Sequence, residues 1–544
     1  YIESPNFGTF ELQSGLEDAN ASPFGWHDTN GVAGAEYTFT RGNNVHAFLD
    51  RNWDYQSDRD VDGGANLIFD FPYNPDAEPS ANEDLAATNL FVRNNFMHDF
   101  TFRYGFNEES GNFQQTNYSG AGLGNDYVIA LCQFGDNDPP ACGTDTGAGE
   151  CSNNASFATQ DDGINGLMTM YTWYLDNTSR LLDVIQPLDL AGKITSGTAQ
   201  FGPAVSTTAV TGEVVQMNDG TSDGTKGCFF PEGQDLTGKI ALIDRGVCDF
   251  SLKVYNAQEA GAIGAIICNF EDAILTMAPG DNAADVTIPS VIIGSIDCNR
   301  IRVAAGTGLV ASLVAPIQTG PVEKDGSIDN SVISHEFGHG ISTRLTGGPS
   351  NSTCLQTEEA GGMGEGWSDF FALATSVQTG DTGIKKRGIG TYVVKESAAG
   401  DGIRSYPYCT DMAINPHTYT DVASNTEVHA VGEVWCTMLW DMYWAFVEAY
   451  GLDLDPVHGN GGNNIAIQLV MDGLKLQVCG PSFTDARDAI LKADSLDNGG
   501  ANQCLIWKVF ARRGLGYDAN AGDPNSAADG KAGFDLPVTC LDDL

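Results

Sequence analysis

The chain has 544 residues, with 72 acidic against 27 basic side chains, a net charge of −45 and a pI near 4.1. So acidic a surface argues against nucleic acid and anionic membranes as partners, and no apolar run approaches the roughly 20 residues that span a bilayer. The length leaves room for three or four domains with sizeable cores.

Residues 1–185 are rich in Gly, Asn, Thr and aromatics in short segments. This predicts mostly strand and loop, with one helix over 85–104. Asp58-Arg59-Asp60-Val61-Asp62-Gly63 alternates carboxylates ahead of a glycine, like the first half of a calcium loop, but lacks the distal bidentate Glu. Asp58, Asp60 and Asp62 therefore fit either calcium or a polar turn, and Asp136-Asn137-Asp138 is a weaker case.

Between about 188 and 318 the composition shifts to Gly, Ala, Val and Ile in short runs. Gly238–Gly246 reads as a strand ending in a turn, Phe250–Ala260 as a helix, and Ala262–Ile267 and Pro289–Gly294 as strands. Together they form a βαβ-like module with its own core. From Asn330 onward the chain is helical, with apolar spacing near 3.6 over 426–450, 464–478, 484–493 and 505–513.

Thirteen cysteines with no CxxC pair point to disulfides in an oxidising compartment. The expected pairs are Cys228–Cys248 and Cys268–Cys298 inside the middle module and Cys479–Cys504 between two C-terminal helices. Cys132, Cys142 and Cys151 share one loop. The odd count leaves at least one thiol unpaired, and Cys436, in an apolar helix, is the candidate for a buried free one. Sequons stand at Asn117, Asn154, Asn177 and Asn351.

The most informative segment is His335-Glu336-Phe337-Gly338-His339. Asp329, Asn330 or Ser331 can cap a helix there. Residues i and i+4 of a helix share a face, so His335 and His339 can grip one ion. Glu336 sits at the edge of that face, within reach of a water on the metal without being a ligand itself. Zinc acidifies such a water, and a carboxylate can take its proton.

A catalytic zinc needs a third protein ligand and an open position. In Gly361-Gly362-Met363-Gly364-Glu365-Gly366-Trp367-Ser368-Asp369, Glu365 and Asp369 are again i and i+4. The economical assignment gives Glu365 to zinc and Asp369 to the free ring nitrogen of a histidine ligand. An ordinary helix start, where acids suit the dipole, is the bland alternative.

Gly220-Thr221-Ser222-Asp223-Gly224 matches GxSxG literally. It lies in a polar loop and not between a buried strand and a helix, so a serine nucleophile is disfavoured.

With these motifs in hand, the chain resembles the fungalysin-type secreted zinc metallopeptidases, relatives of the thermolysin-like enzymes. The resemblance rests on Arg41-Gly42-Asn43-Asn44-Val45, Ala87-Thr88-Asn89-Leu90-Phe91, Asn94-Asn95-Phe96-Met97-His98-Asp99, HEFGHGISTRLTGGP, GGMGEGWSDF and Glu427-Val428-His429-Ala430-Val431-Gly432-Glu433. It covers most of 1–185 and 325–520. It implies an α+β thermolysin-like peptidase with a β-rich N-terminal part and a helical C-terminal part.

For the site, the resemblance implies zinc on His335, His339 and Glu365. Glu336 would be general base and later proton donor, and His429 would face the oxyanion. A core histidine is the alternative for His429. Tyr406 and Tyr408 are both candidates to assist the oxyanion, and Arg404 to hold a substrate carbonyl.

The middle segment departs from that pattern. GKIALIDRGVCDFSLK followed by AGAIGAII resembles the protease-associated (PA) domain. The expected organisation is thus a peptidase over 1–187 and 319–544, interrupted by an inserted α/β PA domain over 188–318. That domain either recruits protein substrates or serves as a structural appendage. Tyr1 reads as a processed start. The family resemblance implies secretion, an inhibitory propeptide before maturation, protein and peptide substrates, and a monomer. A metal-dependent aminopeptidase is the rival to an endopeptidase.

Overall fold

The computed structural model describes residues 4–8, 11–136, 152–174, 180–188, 190–222, 224–315 and 323–541. Cys142, Cys151, Asn137, Asp138, Asn177, Asp223 and Tyr1, singled out above, lie outside the described residues. The chain divides into two compact units: one joins 1–175 to 323–544, and the other is 176–322.

In the first unit, β1 (Val45–Leu49), α1 (Glu83–Arg103), β2 (Val128–Cys132), β3 (Ala155–Ala158), β4 (Leu167–Met170) and β5 (Thr172–Tyr174) follow in chain order. Four strands make one sheet in the order β1-β2-β4-β3, with β3 antiparallel at the edge and the rest parallel. α1 comes within two residues of its expected span. Strand is sparser than the composition suggested. Among the described residues of this stretch no strand exceeds five, because left-handed turns at Trp53, Tyr55, Leu67 and Asn125 keep interrupting the extended backbone.

The second unit holds β6 (Leu182–Gln186), β7 (Gly192–Ile194), β8 (Val210–Gln216), β9 (Ile240–Asp244), α2 (Phe250–Glu259), β10 (Gly264–Cys268), β11 (Ser290–Ile293), α3 (Ser295–Arg302) and β12 (Val310–Leu313). They build one seven-stranded sheet, β11-β10-β9-β8-β12-β6-β7. β8 to β11 are parallel, and β12, β6 and β7 are antiparallel. The sheet separates two apolar cores, one around Ile240, Leu242 and Ile266, the other around Ile243, Ile267 and Val254. β6 belongs to this sheet, so the module begins before residue 188.

The chain re-enters the first unit through β13 (Glu323–Asp325), which pairs antiparallel with β5, Glu323 opposite Tyr174. The helices follow: α4 (Asn330–Leu345), α5 (Glu358–Ala374), α6 (Tyr419–Val422), α7 (Val428–Tyr450), α8 (Gly462–Leu476), α9 (Phe483–Asp497) and α10 (Gln503–Arg512). Of the three possible caps, Asp329 starts α4: its carboxylate accepts the Ser331 N–H at 3.0 Å.

Two glycines set the helix packing that matters most. A Cβ at Gly338 of α4 would lie 2.6 Å from the Ser368 Cα of α5, and one at Gly432 of α7 would lie 2.5 Å from the Glu365 Cβ. The three helices therefore touch backbone to backbone around a core that includes the fully buried Trp367 and Trp435.

The disulfides Cys228–Cys248 and Cys268–Cys298 form as expected, and Cys436 is a buried free thiol. Cys479–Cys504 does not form. Cys479 pairs with Cys354 in the α4–α5 loop, and Cys504 pairs with Cys540. Cys132 and Cys409 are also buried and free.

Gly338→Ala is expected to cost about 1–3 kcal/mol of stability, since the added methyl meets backbone that cannot rotate away. Chemical denaturation of the two proteins measures it; equal midpoints would contradict the close contact.

Candidate active site

α4 delivers His335 and His339 from one face, and α5 delivers Glu365 opposite them. The ring nitrogens His335 Nε2 and His339 Nε2 lie 3.2 Å apart, and Glu365 Oε2 is 3.1 Å from the first and 3.6 Å from the second. A tetrahedral zinc with bonds of about 2.0–2.1 Å sets its ligands about 3.3 Å apart, so the three atoms fit such an ion. Burial alone would pull His335 down, but the Asp369 and Glu365 carboxylates push it up to about 10. An imidazole so ringed by anions marks a place that favours a cation.

Glu336 supplies a second mark. Its side chain is buried, and its Oε2 has no hydrogen-bond partner. Buried carboxylate oxygens are almost always satisfied, so an orphan here fits a site that takes up a further polar group. Burial raises the Glu336 pKa against the lowering effect of His335 and His339, which suits a proton acceptor that must later release its proton.

Asp369, one turn beyond Glu365, accepts from His335 Nδ1 at 2.6 Å. This fixes the tautomer in which Nε2 keeps its lone pair for the metal. Arg404 donates to Asp369 through Nε at 2.7 Å and through a terminal nitrogen at 2.8 Å, and the Tyr408 hydroxyl donates to Asp369 Oδ2. Burial would raise the Asp369 pKa, yet the Arg404 guanidinium and His335 hold it well below the usual carboxylate range. Arg404 and Tyr408 are thus committed to Asp369, and the fully buried Tyr408 is in no position to reach an oxyanion. The sequence offered no sign of this. Tyr406 instead sets its ring edge-on to His417, centroids 4.9 Å apart.

His429 is no core histidine: half of its side chain is exposed. Its Nε2 stands 3.5 Å from Glu365 Oε2, and its Nδ1 pairs with Glu427 Oε1 at 2.6 Å. Glu427 also caps α7 through the Ala430 N–H. The Glu427 bond, against burial, raises the His429 pKa and so favours its donor form. Glu427 was given no role from the sequence, although an acid just ahead of a helix is a recognisable cap.

Glu433, one turn further along α7, is buried. It accepts the Ser405 N–H at 2.8 Å and pairs with His417 Nε2 at 3.0 Å, so it ties the Arg404–Tyr408 segment to α7.

The structure does not bring Asp58, Asp60 and Asp62 together. Asp58 accepts from Arg51 N and Asn52, Asp60 pairs with His46, and Asp62 accepts from Gly64 N. Each oxygen-rich turn closes on itself. Among the described residues, one other group of metal-type donors gathers, Asp244 with Cys268 and Cys298, but its sulfurs are spent in a disulfide. Ser222 lies in the 176–322 unit, and none of the chain's histidines falls within that unit.

A helix offering two imidazoles, completed by a carboxylate from the next helix, defines the class: metallopeptidases of the HExxH kind. The model of the family described as "Fungalysin metallopeptidase (M36)" matches residues 1–519, and the chain belongs to that family. Extracellular metalloproteinase 3 of Trichophyton tonsurans is 30% identical over 517 residues, 92% of this chain and 54% of its own. Extracellular metalloproteinase 2 of Arthroderma gypseum is 30% identical over 528 residues, 96% of this chain and 57% of its own. The chain thus spans little more than half the length of the curated relatives it matches. Among solved structures, an aminopeptidase from Aneurinibacillus sp. strain AM-1 aligns over 31% of this chain and 35% of its own, with 22% identity and a TM-score of 0.20. That likeness is too slight to carry weight.

The His417–Glu433 pair gives a pH test. Burial alone would lower the His417 pKa, but Asp421 and Glu433 raise it from 6.5 to about 9. A raised folded-state pKa stabilises fully below the unfolded value and is lost as pH rises through the folded one. Wild type is therefore expected to outlast His417→Gln in thermal unfolding at pH 6, with the gap closing as the pH passes 9. A gap constant from pH 6 to 10 would argue against the ion pair.

Proposed function

We propose that this chain is a secreted zinc-dependent endopeptidase that hydrolyses peptide bonds in protein substrates. The observation that carries the reading is the unpartnered, buried Glu336 carboxylate oxygen beside the three converging ligand atoms of His335, His339 and Glu365. Bound zinc would supply Lewis acidity, acidifying a water and polarising the scissile carbonyl.

The chain's own residues do the rest. Glu336 takes the proton of the attacking water at its free oxygen and passes it to the departing amine. Asp369 holds His335 in its ligating tautomer. His429, its Nδ1 engaged by Glu427, donates from Nε2 toward the negative charge that develops on the carbonyl oxygen. Family membership and the extracellular names of the relatives support both the reaction and secretion. The same reading takes the first unit as a thermolysin-like layout whose mature form acts as a monomer, after loss of an inhibitory propeptide.

Residues 176–322 fit a protease-associated domain that recruits polypeptide. Phe229, Val247 and Phe270 are 63%, 84% and 62% exposed. Val247 and Phe270 follow β9 and β10, at the strand ends where open α/β sheets bind ligands, and the Cys228–Cys248 disulfide brings Phe229 beside Val247.

Two outcomes follow. Glu336→Gln should keep one zinc per chain by metal analysis and lose about 10²–10⁴-fold in turnover of an N-terminally blocked peptide. Activity near wild type would refute the base, and failure of wild type to cut the blocked peptide would favour the aminopeptidase. Replacing 176–322 by a short linker should leave small-peptide cleavage intact and slow the digestion of large proteins; equal retention on both would sink the recruitment reading.

A further inference from the structure

We propose that Tyr408 is a positioning residue of the metal centre, acting through Asp369 on His335. The inference rests on the zinc-site reading above and adds a residue to which the sequence had given a different role.

The geometry is a saturated carboxylate. Asp369 Oδ1 receives His335 Nδ1–H at 2.6 Å and Arg404 at 2.8 Å. Asp369 Oδ2 receives Arg404 Nε at 2.7 Å and the Tyr408 hydroxyl. A carboxylate has about four lone-pair sites, and all four are filled from fixed directions. Arg404 grips both oxygens from one side chain, and Tyr408 holds Oδ2 from a separate one. The direction in which His335 Nε2 points is set at the far end of the same ring.

Tyr408 itself is held with little play. It is fully buried, and its main chain makes a two-bond bridge to Arg387, Tyr408 N to Arg387 O at 2.7 Å and Arg387 N to Tyr408 O at 3.1 Å. Arg387 is in turn paired with Asp381 at 3.1 Å. The preceding residues are pinned on other sides, Ser405 N by Glu433 at 2.8 Å and Pro407 O by Asn415 at 3.2 Å. A segment fastened at three successive points presents one hydroxyl to one carboxylate oxygen. Outer partners of metal-bound histidines commonly set affinity for the ion by about 10–100-fold.

The test is Tyr408→Phe in the full chain, which removes only the hydroxyl. Zinc affinity is read by competition with a chromophoric chelator, and the thermal midpoint of the metal-free protein is read alongside. The expected result is zinc binding weakened about 10-fold or more, KM for a small peptide unchanged, and no further loss when Tyr408→Phe is added to Asp369→Asn. Zinc affinity within twofold of wild type overturns the proposal, as do losses that add fully to those of Asp369→Asn. A lowered metal-free midpoint with unchanged affinity shows a merely structural role and also overturns it. If Tyr408→Phe does not fold, the same titration on Asp369→Asn decides: unchanged affinity without that carboxylate removes the route by which Tyr408 acts. A wild-type chain that binds no zinc would instead bring down the metal-site reading itself.

Discussion

The site depends on how closely three helices approach. The α4 and α5 backbones meet where Gly338 faces Ser368, and α5 and α7 meet where Gly432 faces Glu365. Helices with ordinary side chains at the contact lie about 8–10 Å apart, and glycine at the crossing is what lets them close further. The gain in proximity falls on functional residues. Gly338 stands between the two histidines and Gly432 three residues after His429, while Glu365 and Asp369 flank Ser368 on α5. One packing constraint thus sets the distances among His335, Glu336, His339, Glu365 and His429.

Within that frame, three neighbouring carboxylates are held differently because their partners differ. Asp369 is filled with donors and held ionised, so it behaves as a fixed negative charge that orients His335. Glu365 faces two imidazoles, and against the effect of burial they keep it well below the usual range. Glu336 has one oxygen with no partner and is raised by burial. Pushing neighbouring titratable groups apart in this way is how one site assigns ligand, base and support among residues of one chemical type. His429 and Glu427 repeat the logic at the rim, where a carboxylate at a helix start holds Nδ1 of an imidazole and raises its pKa.

What was legible in the sequence follows the range of the interactions. His335 with His339, and Glu365 with Asp369, are local helical pairs, so spacing alone placed each pair on one face. The Asp369–His335 contact crosses between two helices but needed only the expectation that a ligating histidine requires an orienting acceptor. Arg404 and Tyr408 were misassigned because their partner lies 35 and 39 residues away along an irregular segment, and nothing periodic links them. The expected Cys479–Cys504 pairing failed for the same reason: the actual partner of Cys479, Cys354, lies 125 residues away, and closing so long a loop leaves no local trace. Asp58, Asp60 and Asp62 have the spacing of a cation loop. Their neighbours Arg51, Asn52, His46 and Gly64 satisfy them first, and spacing cannot show that competition.

The middle unit shows why such a fold tolerates an insertion so close to its metal helix. The chain leaves the first unit after β5 and returns in β13, and these two strands pair antiparallel, Asp325 opposite Thr172. The ends of the insertion are therefore fixed side by side by the peptidase unit's own hydrogen bonds. The entropic cost of a longer connection grows only slowly with its length. From β13 the chain runs through Asp325, whose carboxylate caps the next turn at Ser327 N, to Asp329, which caps α4. Both caps lie on the peptidase side of the junction, so the start of the HEFGH helix is set by residues that the insertion does not supply. All eight histidines likewise lie outside 176–322. The 176–322 unit has two apolar cores of its own, so each unit buries its own apolar side chains, and the caps and histidines of the HEFGH helix all come from the first.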